Sequence, residues 1–272
     1  MTITIEQLIK MHDPRCMSIE SLNVRRGQGI LSKDHILGAF ATTQRQHSIG
    51  YDLLMAKYRN DNDATARVMG AIYSWRGYAR YRHLEHSDIA CHLAMNMVLE
   101  RNLPAQVDHI SKLLRRHGVR SSQTRKNVEA LQSEAKKLEK MRCQNKVNNV
   151  DYFLIGEEIE QLNARIKAER QALYNWSEQQ ARQNNICPRC GGTGRTLRPT
   201  IAVCNECGGN RRITATFEYL RRSLMDISGA MIPSGEWPEY LDLVKCCMRW
   251  LYVEKSQAVN VLNNQIHNEI EA

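Results

Sequence analysis

Four cysteines carry the clearest chemistry in the chain. Cys187-Pro-Arg-Cys190 is followed, after thirteen intervening residues, by Cys204-Asn-Glu-Cys207. A two-residue gap lets both thiolates of a pair reach one ion, and two such pairs complete a tetrahedral shell of sulfur. A catalytic zinc keeps one position open for water, whereas four thiolates leave none. The spacing therefore predicts one structural Zn²⁺ held by Cys187, Cys190, Cys204 and Cys207, a binding scaffold rather than a catalyst. Gly191-Gly192 and Gly208-Gly209 follow the pairs, as expected where the backbone must turn tightly through positive φ. Disulfides would need an oxidising compartment. The N-terminus, Met1-Thr-Ile-Thr-Ile-Glu-Gln, lacks the basic start and apolar run of a secretory signal. No stretch approaches the roughly 18 apolar residues of a membrane span, so a cytoplasmic chain is expected. Cys16, Cys91, Cys143, Cys246 and Cys247 lack metal-ligand spacing and are expected to be buried free thiols.

A second group of potential ligands is weaker. His83, Glu85, His86, Asp88, Cys91 and His92 crowd one segment, and His83 and His86 would share a face if that segment were helical. Their order matches no hydrolytic zinc signature, so solvent-exposed histidines near a helix start are expected. The chain has neither a glycine-rich phosphate loop nor a Gly-x-Ser-x-Gly elbow. A non-enzymatic protein is expected.

Charge points to the kind of partner. The formal net charge is +9 and the isoelectric point about 9.1, which favours a polyanion, nucleic acid before membrane. From Ile186 to Arg222 there are seven arginines (189, 195, 198, 211, 212, 221 and 222) against Glu206 and Glu218. A second basic run, Lys112, Arg115, Arg116, Arg120, Arg125 and Lys126, contains no acid. Planar guanidinium groups suit phosphate oxygens and guanine edges. Arg195, Arg198, Arg211 and Arg212 are therefore candidate DNA contacts.

The elements that must position these residues read as overwhelmingly helical, a mainly α chain. Helices are expected over Asp34–Tyr58, from an Asp63 N-cap through Tyr78, from Ser87 to Leu99, and from Pro104 to His117 ahead of Gly118. Val128, Leu131, Ala135 and Leu138 step by three and four. After a polar break at 144–149, Tyr152, Ile155, Ile159, Leu162, Ile166, Leu173 and Trp176 do the same. Two such stripes predict a long antiparallel hairpin, serving either as a brace or as an arm that grips a partner. Short strands are expected at Thr200–Val203 and Arg212–Thr216 beside the cysteines. The organisation predicted is a helical region at 1–120, a hairpin arm at 121–185, an inserted Cys₄ zinc module at 186–213 and a helical region at 214–272.

The last region carries a candidate helix-turn-helix. One helix begins near Pro238, a break is expected at Tyr252–Glu254, and a final helix runs from Lys255 to Ile270. Val259, Leu262, Ile266 and Ile270 would line its inner face. Lys255, Gln257, Asn260 and Asn264 would then read the major groove, since asparagine and glutamine pair bidentately with adenine edges.

Taken in order, Cys187-x-x-Cys190-x-Gly192-Thr-Gly194-Arg195, a basic spacer, Cys204-x-x-Cys207-x-Gly209, Arg212, a Phe217-Glu-Tyr219-Leu-Arg run and Tyr252-Val-Glu-Lys-Ser-Gln-Ala258 resemble the Q transcription antitermination proteins of lambdoid phages. The likeness covers about Cys187 to Ile266, is faint over Leu53 to Arg82 and is absent over Leu84 to Gln183. It implies binding to a late-promoter DNA element, contact with host RNA polymerase and its sigma factor, and suppression of pausing and termination in a bacterial cytoplasm. The chain departs from the pattern after Cys207, where Asn210 or Arg211 must close the turn in place of a glycine. The hairpin would be an insertion that contacts polymerase or a second copy of the chain. Two other readings stay open. One is a zinc-containing helical DNA-binding regulator that does not modify polymerase. The other is a DnaJ-like zinc chaperone module, disfavoured because that module carries four such repeats and follows a His-Pro-Asp loop, whereas here the order is His12-Asp13-Pro14.

Overall fold

A single non-helical residue, His47 (φ −138°, ψ 66°), breaks the first long apolar pattern into two helices, α1 (Lys33–Gln46) and α2 (Ser48–Tyr58). The computed structural model describes Glu6, Ile9 and residues 33–144, 150–196 and 201–271. Among them are ten helices and one two-stranded sheet. Helix α3 (Asn62–Ser74) has its cap two residues before the expected Asp63: the Asp61 carboxylate accepts from the Asp63 and Ala64 amides at 2.9 and 3.0 Å. It stops at Trp75, and Tyr78 lies in the short α4 (Arg76–Ala79). Then follow α5 (Ser87–Val98), α6 (Pro104–His117), α7 (Val119–Gln144), α8 (Val150–Gln183), β1 (Arg195–Thr196), β2 (Ala202–Val203), α9 (Phe217–Ser228) and α10 (Trp237–Glu271). Among the described residues no helix is long and apolar enough to cross a membrane. The expectation of a mainly α chain with short strands, a four-cysteine cluster and a long hairpin therefore holds.

The chain forms two compact units, one made of residues 1–101 with 220–272 and the other of residues 102–219. In the first, α10 is the spine against which α1, α2 and α5 pack. Tyr240, Leu243, Val244, Cys247, Leu251, Ala258 and Leu262 are buried along it, a stripe stepping by three and four that never changes face. Gly50 of α2 is what lets the two helices approach. A Cβ there would lie 2.1 Å from the Glu254 carbonyl oxygen and 2.7 Å from the Ala258 Cβ. Trp75 and Trp250 stack with centroids 5.2 Å apart, and the Tyr81 hydroxyl donates to Asp242.

The continuous α10 corrects the helix-turn-helix expectation: Tyr252–Glu254 is helical, with no turn. The segment contains neither glycine nor proline to stop a helix. The buried stripe runs straight through from Leu251 to Ala258, so a turn would expose it. Val259 is only half-buried, Ala258 taking the inner position expected of it.

In the second unit, α7 and α8 form the antiparallel hairpin. Arg120 of α7 lies over the Trp176 ring near its base and Arg142 over the Tyr152 ring near its tip, at 5.3 and 4.3 Å. Helix α6 packs against α8 and α7. The base of this hairpin carries the cysteine module.

Candidate metal centre

The two cysteine pairs fold alike because they repeat the same local sequence seventeen residues apart. In each, the paired glycines turn through positive φ, +57° and +83° at Gly191 and Gly192, +56° and +85° at Gly208 and Gly209. The Thr193 amide donates to the Cys190 carbonyl at 3.1 Å, and its counterpart Asn210 to Cys207 at 2.9 Å. The copies then bind each other reciprocally. The Cys187 amide donates to the Arg211 carbonyl and the Cys204 amide to the Gly194 carbonyl, both at 3.0 Å. The β1–β2 pairing sets Arg195 opposite Val203, and the isolated bridge sets Arg212 opposite Ile186. These pairs are also related by the seventeen-residue offset, so the module has an internal pseudo-two-fold.

This geometry revises the strand expectations. Arg195–Thr196 is a strand that was not anticipated, and Arg212 makes a single bridge in place of a strand through Thr216. Of the expected strand at Thr200–Val203, Ala202–Val203 is present and Thr200 lies outside the described residues. The departure after Cys207 is also resolved. Arg211, rather than Asn210, takes the left-handed position (φ +67°) that Gly194 (φ +79°) fills in the first copy, at a cost of about 1–2 kcal/mol for an L-residue with a Cβ.

The four sulfurs converge. Cys187, Cys190, Cys204 and Cys207 are buried, and their Sγ atoms all lie within 4.8 Å of one another. Cys187 and Cys204 are 3.8 Å apart, as are Cys190 and Cys207. A tetrahedron with metal–sulfur bonds of about 2.3 Å has edges of about 3.8 Å, far longer than a disulfide of about 2 Å. The donor set and spacing thus fit one thiolate-bound ion. Burial pushes the Cys187 thiol up to about 12 and raises Cys207 as well. At Cys190 burial pulls the same way and is the largest single influence. The amides of Gly194 and Gly192, together with hydrogen bonds from Cys187 and Cys207, outweigh it and bring the thiol down to about 7. The Gly194 amide lies 3.4 Å from that sulfur.

Helices α6 and α8 hold the module through an apolar floor and a set of amides. Ile110, Leu113, Ala181 and Ile213 form one buried cluster with the cysteines. Gln106, 1% exposed, donates to the Ile213 carbonyl at 2.8 Å, and Asn102 donates to the Ala181 carbonyl at 2.8 Å. The Ile213 amide donates to the Asn185 carbonyl at 2.8 Å. Glu206 takes His109 at 3.5 Å and Arg189 at 3.3 Å. Asn102, Gln106 and His109 gave no signal in the sequence, because a lone polar residue does not reveal a partner 79 or more positions away. Arg189 and Glu206, which pair here, occupy equivalent places in the two copies.

The remaining expected sites separate. Arg195, Arg211 and Arg212 are exposed around the module, and Arg198 lies outside the described residues. Gln257, Asn260 and Asn264 are exposed on α10 in the other unit. Lys255 is half-buried there, its ammonium held below the usual lysine range by burial and by Lys57. Without a turn before them, these four lie on one continuous packed spine rather than on a separate recognition helix. His83 and His86 lie in a turn rather than on a helical face. His83 bonds Glu239 at 3.0 Å, His86 lies 3.6 Å from Glu85, and Cys91 is in the core, so they share no ion. Among the described residues the four module cysteines are the one cluster of three or more able to do so. Of the other cysteines, Cys91 and Cys247 are buried as expected, Cys246 is partly buried, and Cys143 is exposed near the hairpin tip. Cys16 lies outside the described residues.

A family model described as conserved hypothetical protein CHP02642 matches residues 2–271. No curated protein and no solved structure matches the chain.

Proposed function

The chain belongs to the conserved hypothetical protein family CHP02642, along residues 2–271, and we propose that it is a zinc-dependent DNA-binding transcription factor. The observation that carries this reading is the location of the charge. Residues 102–219 hold twenty Lys and Arg against twelve Asp and Glu, whereas the remainder holds eighteen against seventeen. Nearly all the excess of +9 therefore lies in the unit that carries the cysteine module. Four thiolates around a dication remove about two charges and leave that unit clearly cationic. Arg195, Arg211 and Arg212 on the module, with Arg116, Arg120, Arg125 and Lys126 on α6 and α7, are exposed and suited to phosphate.

Zn²⁺ is the ion that best suits four converging thiolates in a closed tetrahedral arrangement. Its role is to hold the module, whose own apolar floor is small, as a rigid platform. DNA binding is assigned to this unit rather than to α10.

The resemblance to the Q antitermination proteins extends the reading to late-gene control: binding at a late promoter, engagement of host RNA polymerase and sigma factor, and passage through pauses and terminators. In vitro transcription through a terminator, with and without the zinc-loaded protein, tests it. Read-through confined to templates carrying the cognate late promoter supports antitermination. Duplex binding without read-through supports the regulator that leaves polymerase unmodified, and failure to bind duplex DNA at low ionic strength refutes both.

A further inference from the structure

The distal end of the hairpin is finished unlike its base. At the base, Arg115 and Arg120 cover Tyr174 and Trp176, and the helices pack onto α6 and the cysteine floor. At the tip, Met141, Val150, Phe153 and Leu154 are 46%, 70%, 60% and 54% exposed. Met141 and Leu154 border an open groove of about 400 Å³ between the two helices. Large apolar side chains clustered in this way mark a contact surface more often than singly scattered ones do.

The charges beside the patch identify the occupant. On this stretch of α7 Lys136, Lys137 and Lys140 outnumber Glu134 and Glu139, and Glu157, Glu158 and Glu160 lie on α8, all exposed, so the α7 edge is cationic on balance and the α8 edge anionic. The antiparallel pairing that sets Arg142 over Tyr152 brings the two segments level with each other. Among the described residues no ion pair joins these lysines to these glutamates. A patch with an apolar centre, a cationic edge on one helix and an anionic edge on the other is complementary to itself under a two-fold rotation. That rotation lays α7 of one copy beside α8 of the other, which is the condition for an isologous interface. Opposed charges flanking an apolar seam set partner and orientation in paired helices generally.

We propose that the hairpin tip is a two-fold contact between two copies of this chain, with Phe153 and Leu154 at its centre and the lysine and glutamate edges crossing the axis. The contact depends on no part of the DNA-binding reading and fails or stands separately from it. The test is sedimentation and light scattering of the full-length, zinc-loaded protein. The expected mass is twice the 31.4 kDa of the chain. Phe153→Glu with Leu154→Glu changes two exposed helical positions, so it should leave the circular dichroism intact and yield the single-chain mass. Reversing the lysines (Lys136→Glu, Lys137→Glu, Lys140→Glu) sets acid against acid and should also give monomers, as should Glu157→Lys, Glu158→Lys and Glu160→Lys. Mixing the two reversed proteins should restore a mixed dimer, because each then meets its opposite. A wild-type chain that stays at 31.4 kDa at the highest soluble concentration overturns the proposal. So does a dimer that survives the Phe153 and Leu154 substitutions, or two reversed proteins that fail to pair.

Discussion

Gly194→Ala probes the reciprocal packing of the two cysteine copies most directly. Gly194 sits at φ +79°, and a Cβ built there would lie 2.6 Å from the Gly209 carbonyl oxygen, a backbone atom of the other copy. The left-handed conformation costs an alanine about 1–2 kcal/mol. Relieving the overlap adds about 1–3 kcal/mol, the usual cost of forcing extra volume into a packed site. The total, about 2–5 kcal/mol, comes out of metal affinity, because folding of so small a module is coupled to binding. At 1.4 kcal/mol per tenfold, zinc affinity should fall by about thirty-fold to several thousand-fold. Gly191→Ala is the internal control. Its φ is also positive (+57°), yet its Cβ would meet nothing within 4 Å, so only the conformational cost applies and the loss should stay near tenfold. Competition of each protein against a chromophoric chelator measures both constants. Equal losses in the two variants would refute the close approach of Gly194 to Gly209, and with it the pseudo-two-fold arrangement.

Cys187→Ser or Cys204→Ser should abolish stoichiometric zinc, read by elemental analysis, and unfold residues 186–213 while leaving residues 1–101 with 220–272 helical. Zinc affinity should fall as pH falls. Burial keeps the metal-free Cys187 and Cys207 thiols protonated, so binding must expel their protons, and chelator competition at stepped pH should show protons released per ion bound. Arg211→Ala and Arg212→Ala should weaken binding to all duplex sequences alike and flatten its salt dependence by about one ion per arginine. Asn260→Ala and Asn264→Ala should leave sequence preference unchanged, because α10 offers no free recognition helix. A change in preference there would return DNA reading to α10. Gly50→Ala should destabilise the unit built on α10 by about 1–3 kcal/mol in denaturant unfolding, since its Cβ overlaps the Glu254 carbonyl and the Ala258 side chain.

Much of the fold and of the metal centre was legible in residue order because the physics involved is local. Apolar steps of three and four along Val128–Leu138 and Tyr152–Trp176 identify two helices whatever they pack against. Cysteines two residues apart reach one ion in any context that lets them. The errors arose where local signals were neutral. Tyr252-Val-Glu carries no breaker, and its charged residue among apolar ones reads equally well as a loop or as the outer face of a long helix. The α1–α2 break at His47 likewise carries neither glycine nor proline at the break itself, so no local residue type announces it.

The sequence by itself determined the helical character, the ligand quartet and the cationic balance, all of which follow from residue type and short-range spacing. The tertiary structure decided which surfaces those residues occupy. It joined the last two apolar stripes into one spine, because their buried faces are in phase. It brought two copies of a knuckle together through hydrogen bonds between residues ten and twenty-four apart. It also left apolar side chains bare at the end of an arm whose base is covered. Such outcomes depend on which chain segments meet in space, and spacing along the chain carries no record of that.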